Sequence, residues 1–191
     1  DGEMENRQSV DSNITMRDLV DSYMVPFQQC VEKGKVSGLM CSYNSVNGAP
    51  SCANTGLLDT VARKEWGFDG YVTSDTDAVR NAWQDHRYVA TAAEASCAAI
   101  RAGGDQINSG GTFNDGLLEG VEQGHCTMAD VDRAVFNSLR VRFELGLFDP
   151  VEDQPLWKLG QPRVISDCHF AVQLNHFIPG FLSYSVPVFL K

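Results

Sequence analysis

Apolar positions recur every four residues between Thr15 and Lys35, where Leu19, Tyr23, Phe27 and Val31 fall along one side of a helix. This spacing predicts an amphipathic helix, with Thr15 placed to cap it and Asp18 near the positive end of its dipole. Pro26 lies inside the pattern and is expected to kink the helix or divide it in two. The period then changes. Val36 to Asn44, VSGLMCSYN, is short and apolar, which is the pattern of a parallel strand buried on both faces. The turn formers of SVNGAPSCAN follow it, with Asn47-Gly48 and Pro50 shaping a loop.

The same order then repeats. The amphipathic stretch TGLLDTVARKEWG leads through Gly67 into FDGYVTSD, where Tyr71, Val72 and Thr73 favour a strand that ends at Asp75. An alanine-rich helix, TAAEASCAAIRAG, leads into GGDQINSG, and two further helical patterns follow, FNDGLLEGVEQG and MADVDRAVFNSLRVRFELG. Alternating helices and strands with short connections predict an α/β fold with parallel strands and right-handed crossovers. Periodicity alone leaves a (β/α) barrel and a doubly wound sheet both open. In either case chemistry belongs at the C-terminal ends of the strands, where Asn44, Asp75 and Asn108 fall.

Composition narrows the function classes. In 191 residues, 25 acidic side chains outnumber 15 basic ones, giving a net charge of −10. Nucleic acid is therefore an unexpected partner, since phosphate binding needs clustered positive charge. No run approaches the roughly 20 apolar residues that span a bilayer, so no membrane partner is expected. DGEMENRQSV lacks the order of a signal peptide, and a chain opening on Asp1 reads as a processed or incomplete product. The six cysteines form no CxxC pair and have no histidine at zinc-ligand spacing, which argues against a structural metal and leaves any disulfides unassigned. The sequon Asn13-Ile14-Thr15 is compatible with a secreted protein. After LGLFDP the character changes, with 150–165 reading as a polar linker and 166–191 as an apolar tail of no clear period.

The segment GYVTSDTDA carries the most chemistry, because an acid at the end of a buried strand is costly unless something pairs with it or uses it. Asp75 is the leading candidate, with a turn or helix cap as its structural alternative, and Asp77 reads as that cap. Asp75-x-Asp77 is also a possible divalent-metal pair, as in metal-dependent sugar transferases, but no other ligand cluster supports it.

Four blocks in order, RDLVDSYMVPFQQCVEKG, MCSYNSVNGAPSCAN, EWGFDGYVTSDTDAV and VRFELGLFDP, resemble family 3 glycoside hydrolases, and the β-xylosidase branch in particular. The resemblance covers residues 7 to 160 and implies that 1–149 form the C-terminal part of a (β/α)8 barrel domain. It implies that Asp75, the Asp after Ser in its block, is the nucleophile of a retaining β-glycosidase acting on β-xylosides or related oligosaccharides, without cofactor or metal. Tyr43 then corresponds to the aromatic hydroxyl beside the nucleophile and Met40 to the pocket floor, with core packing as the alternative for both. Thr76 stands where xylosidase-like members often carry Cys, a departure that bears on the sugar subsite. In the family the acid/base comes from a later αβα sandwich, and a Lys-His pair with an upstream Arg and Asp comes from earlier strands. The chain alone is thus expected to hold an incomplete site, with weak or absent turnover unless Glu94 or Glu119 donates the proton. The parent protein is expected to be extracellular. The alternative is a non-catalytic fragment, retained as a binding remnant or an inactive product.

Overall fold

The computed structural model describes residues 6–108 and 115–154. The chain divides into two units after Leu145. Of the second, the described residues 146–154 hold a 3-10 turn, Val151–Asp153. The expected tail, 166–191, and most of the expected linker lie outside the described residues.

The first unit opens with β1 (Asp11–Ser12), followed by α1 (Met16–Asp18), a π-helical turn (Leu19–Tyr23) and α2 (Val25–Glu32). Thr15 caps α1, its hydroxyl accepting from the Asp18 amide at 3.1 Å. The helix divides just before Pro26, which sits in the first turn of α2, where its missing N–H forfeits no intrahelical bond. Of the expected apolar stripe, Leu19 and Val31 are buried, whereas Tyr23 and Phe27 remain about 60% exposed.

Next come β2 (Gly38–Cys41), β3 (Ser45–Val46) and β4 (Ala49–Pro50). A two-residue hairpin joins β3 to β4 through Asn47 and Gly48, both at positive φ, as a primed turn requires. The β3 strand also pairs in parallel with β1. A π-helix (Gly56–Glu65) crosses over to β5 (Tyr71–Ser74), which runs parallel to β2 in the register Gly38↔Tyr71 to Cys41↔Ser74. From there α3 (Ala78–Gln84) and α4 (Ala92–Arg101) return the chain to the other edge of β5, where Gln106 bridges Thr73 in parallel. The expected third strand is thus a single bridge among the described residues. Two helices follow, α5 (Asp115–Glu122) and α6 (Met128–Glu144).

Alternation along β5 sorts its two faces. Val72 and Ser74 are buried, Val72 within a core that includes Leu58, Ala62, Phe68, Ala95 and Ala99. Tyr71 and Thr73 take the opposite face with Gly38 and Met40, and Met40 is 60% exposed. The expectation of burial on both faces of β2 is corrected here: only the helix-covered face is closed. At the start of β5, a Cβ on Gly70 would lie 2.2 Å from the Ser37 carbonyl oxygen, so only glycine lets the two strands meet.

Two disulfides, Cys41–Cys52 and Cys97–Cys126, join cysteines that spacing alone could not pair, and Cys30 is an exposed free thiol. Among the described residues the deepest ion pair is Arg63 with Asp105. Asp105 also accepts from the Val72 amide at 2.8 Å and from Asn137 Nδ2 at 2.9 Å, while Arg63 donates to the Gly70 and Gly103 carbonyls. One carboxylate thereby ties the π-helix, β5 and α6 together.

Candidate functional site

Three chain segments converge where the parallel strands end. Asp75 follows β5 directly, with its amide donating to the Cys41 carbonyl at 2.9 Å. The preceding amide, of Ser74, bonds the Gln106 carbonyl, and the Asp77 amide bonds the Asn108 carbonyl at 2.8 Å. The nucleophile candidate therefore leaves a strand held from both sides. Its Oδ1 accepts from the Thr76 amide at 2.7 Å. Asn108, also expected at a strand end, donates from Nδ2 to the Thr76 hydroxyl at 3.2 Å.

Tyr43 lies beyond β2, half-buried, with its phenol close enough to Asp75 to feel that acid's charge. Burial, and then the negative charge of Asp75, raise the phenol above its ordinary value of 10.0, while Arg7, whose guanidinium lies 5.1 Å from the Tyr43 ring centroid, pulls the other way. The phenol thus stays protonated at neutral pH and is a donor facing a carboxylate. Met40, on the strand face shared with Thr73, is open to solvent and also borders an apolar groove of about 370 Å³ with Leu19, Tyr23 and Phe27.

The loop between β2 and β3 is braced from several directions. The Cys41–Cys52 disulfide ties its start to the turn after β4, and Ser51 Oγ of the same turn donates to the Asn44 carbonyl at 2.6 Å. Asn44 Oδ1 accepts from Ser42 Oγ at 2.7 Å while its Nδ2 donates to the Ser45 carbonyl at 3.1 Å and to Ser12 Oγ of β1 at 3.4 Å. His86, on the connection between α3 and α4, brings Nε2 to 2.7 Å from the Tyr43 carbonyl oxygen and Nδ1 to 3.0 Å from Ser45 Oγ.

Asp77 stands at the N-cap of α3 as expected, but in left-handed backbone and without a side-chain cap bond; its carboxylate lies 3.5 Å from Arg80. Among the described residues no three His, Cys, Asp or Glu side chains are grouped as metal ligands. Glu94 Oε2 accepts from the Ala90 amide at 2.8 Å, and Glu119 accepts from Gln123 along α5. His86, Arg7 and Asp105 carry roles that the sequence reading missed. An acid between a helix and a strand pattern was a usable signal for Asp105, as an acid at the end of a strand was for Asp75; His86 carried none.

A carboxylate and a phenol at the C-terminal ends of neighbouring parallel strands are placed like the chemistry of an α/β enzyme domain. Residues 2–141 match the glycosyl hydrolase family 3 N terminal domain, and the chain belongs to this family. It is similar to the probable β-D-xylosidases 6 and 7 of Arabidopsis thaliana, at 43% and 37% identity over 88% of this chain and 21% and 22% of theirs. It is also similar to a probable exo-1,4-β-xylosidase of Aspergillus terreus, at 39% identity over 92% of this chain and 23% of that one. Among solved structures, it resembles a family 3 exo-β-xylosidase in complex with a xylobiose aziridine activity-based probe, with a TM-score of 0.81 and 34% identity over 87% of this chain and 22% of that one. A β-glucosidase from Erythrobacter marinus gives a TM-score of 0.72 and 32% identity over 79% of this chain and 20% of that one. The chain spans about a fifth of the length of the curated relatives it matches.

Proposed function

We propose that this chain is the nucleophile-bearing part of a retaining β-glycosidase acting on β-xylosides or related β-glycosides. The observation that carries the reading is Asp75 at the end of β5, its amide held by Cys41 and its carboxylate faced by the Tyr43 phenol. In the proposed reaction an Asp75 oxygen bonds the anomeric carbon as the bond to the aglycone oxygen breaks, and that oxygen takes a proton from a general acid. Water then cleaves the glycosyl ester, with the same acid group acting as base, and configuration is retained. Retention needs the second carboxyl about 5 to 5.5 Å from the first. Glu94 is engaged by a backbone amide and Glu119 by Gln123, so neither is the donor in this reading, and the acid comes from elsewhere in a longer polypeptide. Tyr43 directs its hydroxyl to Asp75 or to the sugar, and Met40 floors the pocket.

The β2–β5–Gln106 arrangement is read as part of a (β/α)8 barrel whose interior face is the one bearing Tyr71, Thr73 and Met40. Secretion of the parent protein is supported by the two disulfides, which persist in oxidising compartments.

The test is intact-protein mass after incubation with a 2-deoxy-2-fluoro-xyloside bearing a good leaving group, which forms the glycosyl ester without an acid. A gain of one fluoroxylosyl unit, lost in Asp75→Ala, is expected. A folded wild-type chain that stays unlabelled refutes the catalytic reading and favours the non-catalytic fragment.

A further inference from the structure

We infer that His86 is a positioning residue that holds Tyr43 against Asp75, an inference that rests on the proposed role of Asp75. Tyr43 lies between the end of β2 at Cys41 and the start of β3 at Ser45, outside both strand ladders. Its placement therefore depends on bonds made by the loop. Two of these, the Cys41–Cys52 disulfide and the Ser51–Asn44 bond, tie the loop to the segment that follows β4. They fix its shape but do not set its distance from the segment that carries Asp75.

His86 supplies that link. Asp75, α3 and His86 follow one another within twelve residues, and the His86 amide folds back onto the Asn81 carbonyl at 2.8 Å, so the imidazole belongs to the same local unit as the nucleophile. A carbonyl only accepts, so the 2.7 Å contact with Tyr43 requires the proton on Nε2. Nδ1 lies 3.0 Å from the hydroxyl of Ser45, which is 3% exposed. Both ring nitrogens are spent on residues 43 and 45, on either side of Asn44. With the Asp75–Cys41 backbone bond as one anchor and His86 as the other, the phenol and the carboxylate are fixed relative to each other from two directions.

The two contacts separate by substitution. In His86→Gln the side-chain amide reaches the place of Nε2 and can donate to the Tyr43 carbonyl; in His86→Asn it reaches only the place of Nδ1. The experiment is an NMR titration of ¹³C-labelled tyrosine rings in the full chain, with the Tyr43 signal assigned by Tyr43→Phe, beside the rate of labelling by the 2-fluoro-xyloside. Loosening the contact with Asp75 is expected to bring the Tyr43 phenol down toward 10.0 in His86→Ala and His86→Asn, while His86→Gln stays near wild type. Labelling is expected to slow about tenfold to a hundredfold in the first two variants, as a displacement of about 1 Å would cause.

An unchanged phenol titration in folded His86→Ala overturns the inference. Should that variant fail to fold, equal titrations in His86→Asn and His86→Gln overturn it instead. Absent labelling of the wild type defeats the nucleophile reading, and the titration then judges the positioning of Tyr43 by itself.

Discussion

Replacing Asp105 by Ala removes the one carboxylate that, among the described residues, is paired with the largely buried Arg63. The Asp105 side chain is fully enclosed and that of Arg63 is 13% exposed, so water compensates the guanidinium only in small part. Its bonds to the Gly70 and Gly103 carbonyls survive, but they do not neutralise it. Stripping one partner from a buried pair costs about 3–5 kcal/mol. The Val72 amide and Asn137 lose their acceptor in the same stroke, and these losses overlap with the first rather than adding to it.

A domain of this size holds about 5–15 kcal/mol of stability in all, so the variant should sit at the edge of folding. Urea unfolding followed by tryptophan fluorescence reads the effect: at about 1–3 kcal/mol per molar, the midpoint should fall by about 1–5 M. The double variant Arg63→Met with Asp105→Leu removes both charges and should recover much of the loss. A change in Asp105→Ala within about 0.5 kcal/mol, the range of ordinary surface substitutions, refutes the reasoning.

The start of α6 makes a pH-dependent contribution. Thr127 and Asp130 form a capping box, and bonds from the Thr127 amide and hydroxyl hold the Asp130 carboxyl below its ordinary 3.8. Because the folded value is depressed, the contribution is present above 3.8 and disappears as pH falls through the lower folded value. Thr127→Ala should cost about 0.5–2 kcal/mol at neutral pH by chemical denaturation, with a smaller difference in strong acid; an equal difference at both would contradict the assignment. Asn13 is exposed between β1 and the capping Thr15, so passage through a eukaryotic secretory pathway should add one N-glycan, removable by an amidase and absent in Asn13→Gln. A disulfide-bonded chain that emerges from that pathway unmodified rules this out.

What the sequence disclosed was local. The helix stripe, the Thr15 cap, the break at Pro26 and the Asn47-Gly48 turn all depend on residues within a few positions of one another, and the strand ending at Asp75 followed from its flanking helix and its β-branched run. The closing contacts were hidden because their partners are far apart in the chain: His86 reaches back 43 positions to Tyr43, and the Asp105 carboxylate reaches back 33 to the Val72 amide. Cysteine pairing failed for the same reason, since it depends on Cα separations that only the fold creates. The face exposed at Met40 escaped because an apolar run reports burial without reporting how many neighbours supply it.

The absence of a side chain at Gly70 reaches well beyond its own turn. The Tyr71 amide closes on the Ser37 carbonyl at one end of the β2–β5 pair and the Asp75 amide closes on the Cys41 carbonyl at the other, so four paired residues behave like a short ruler with a stop at its base. A methyl group at position 70 would push that stop and carry the far end with it. The aim of the carboxylate on Asp75 is thereby calibrated five residues upstream, by an atom that is not there.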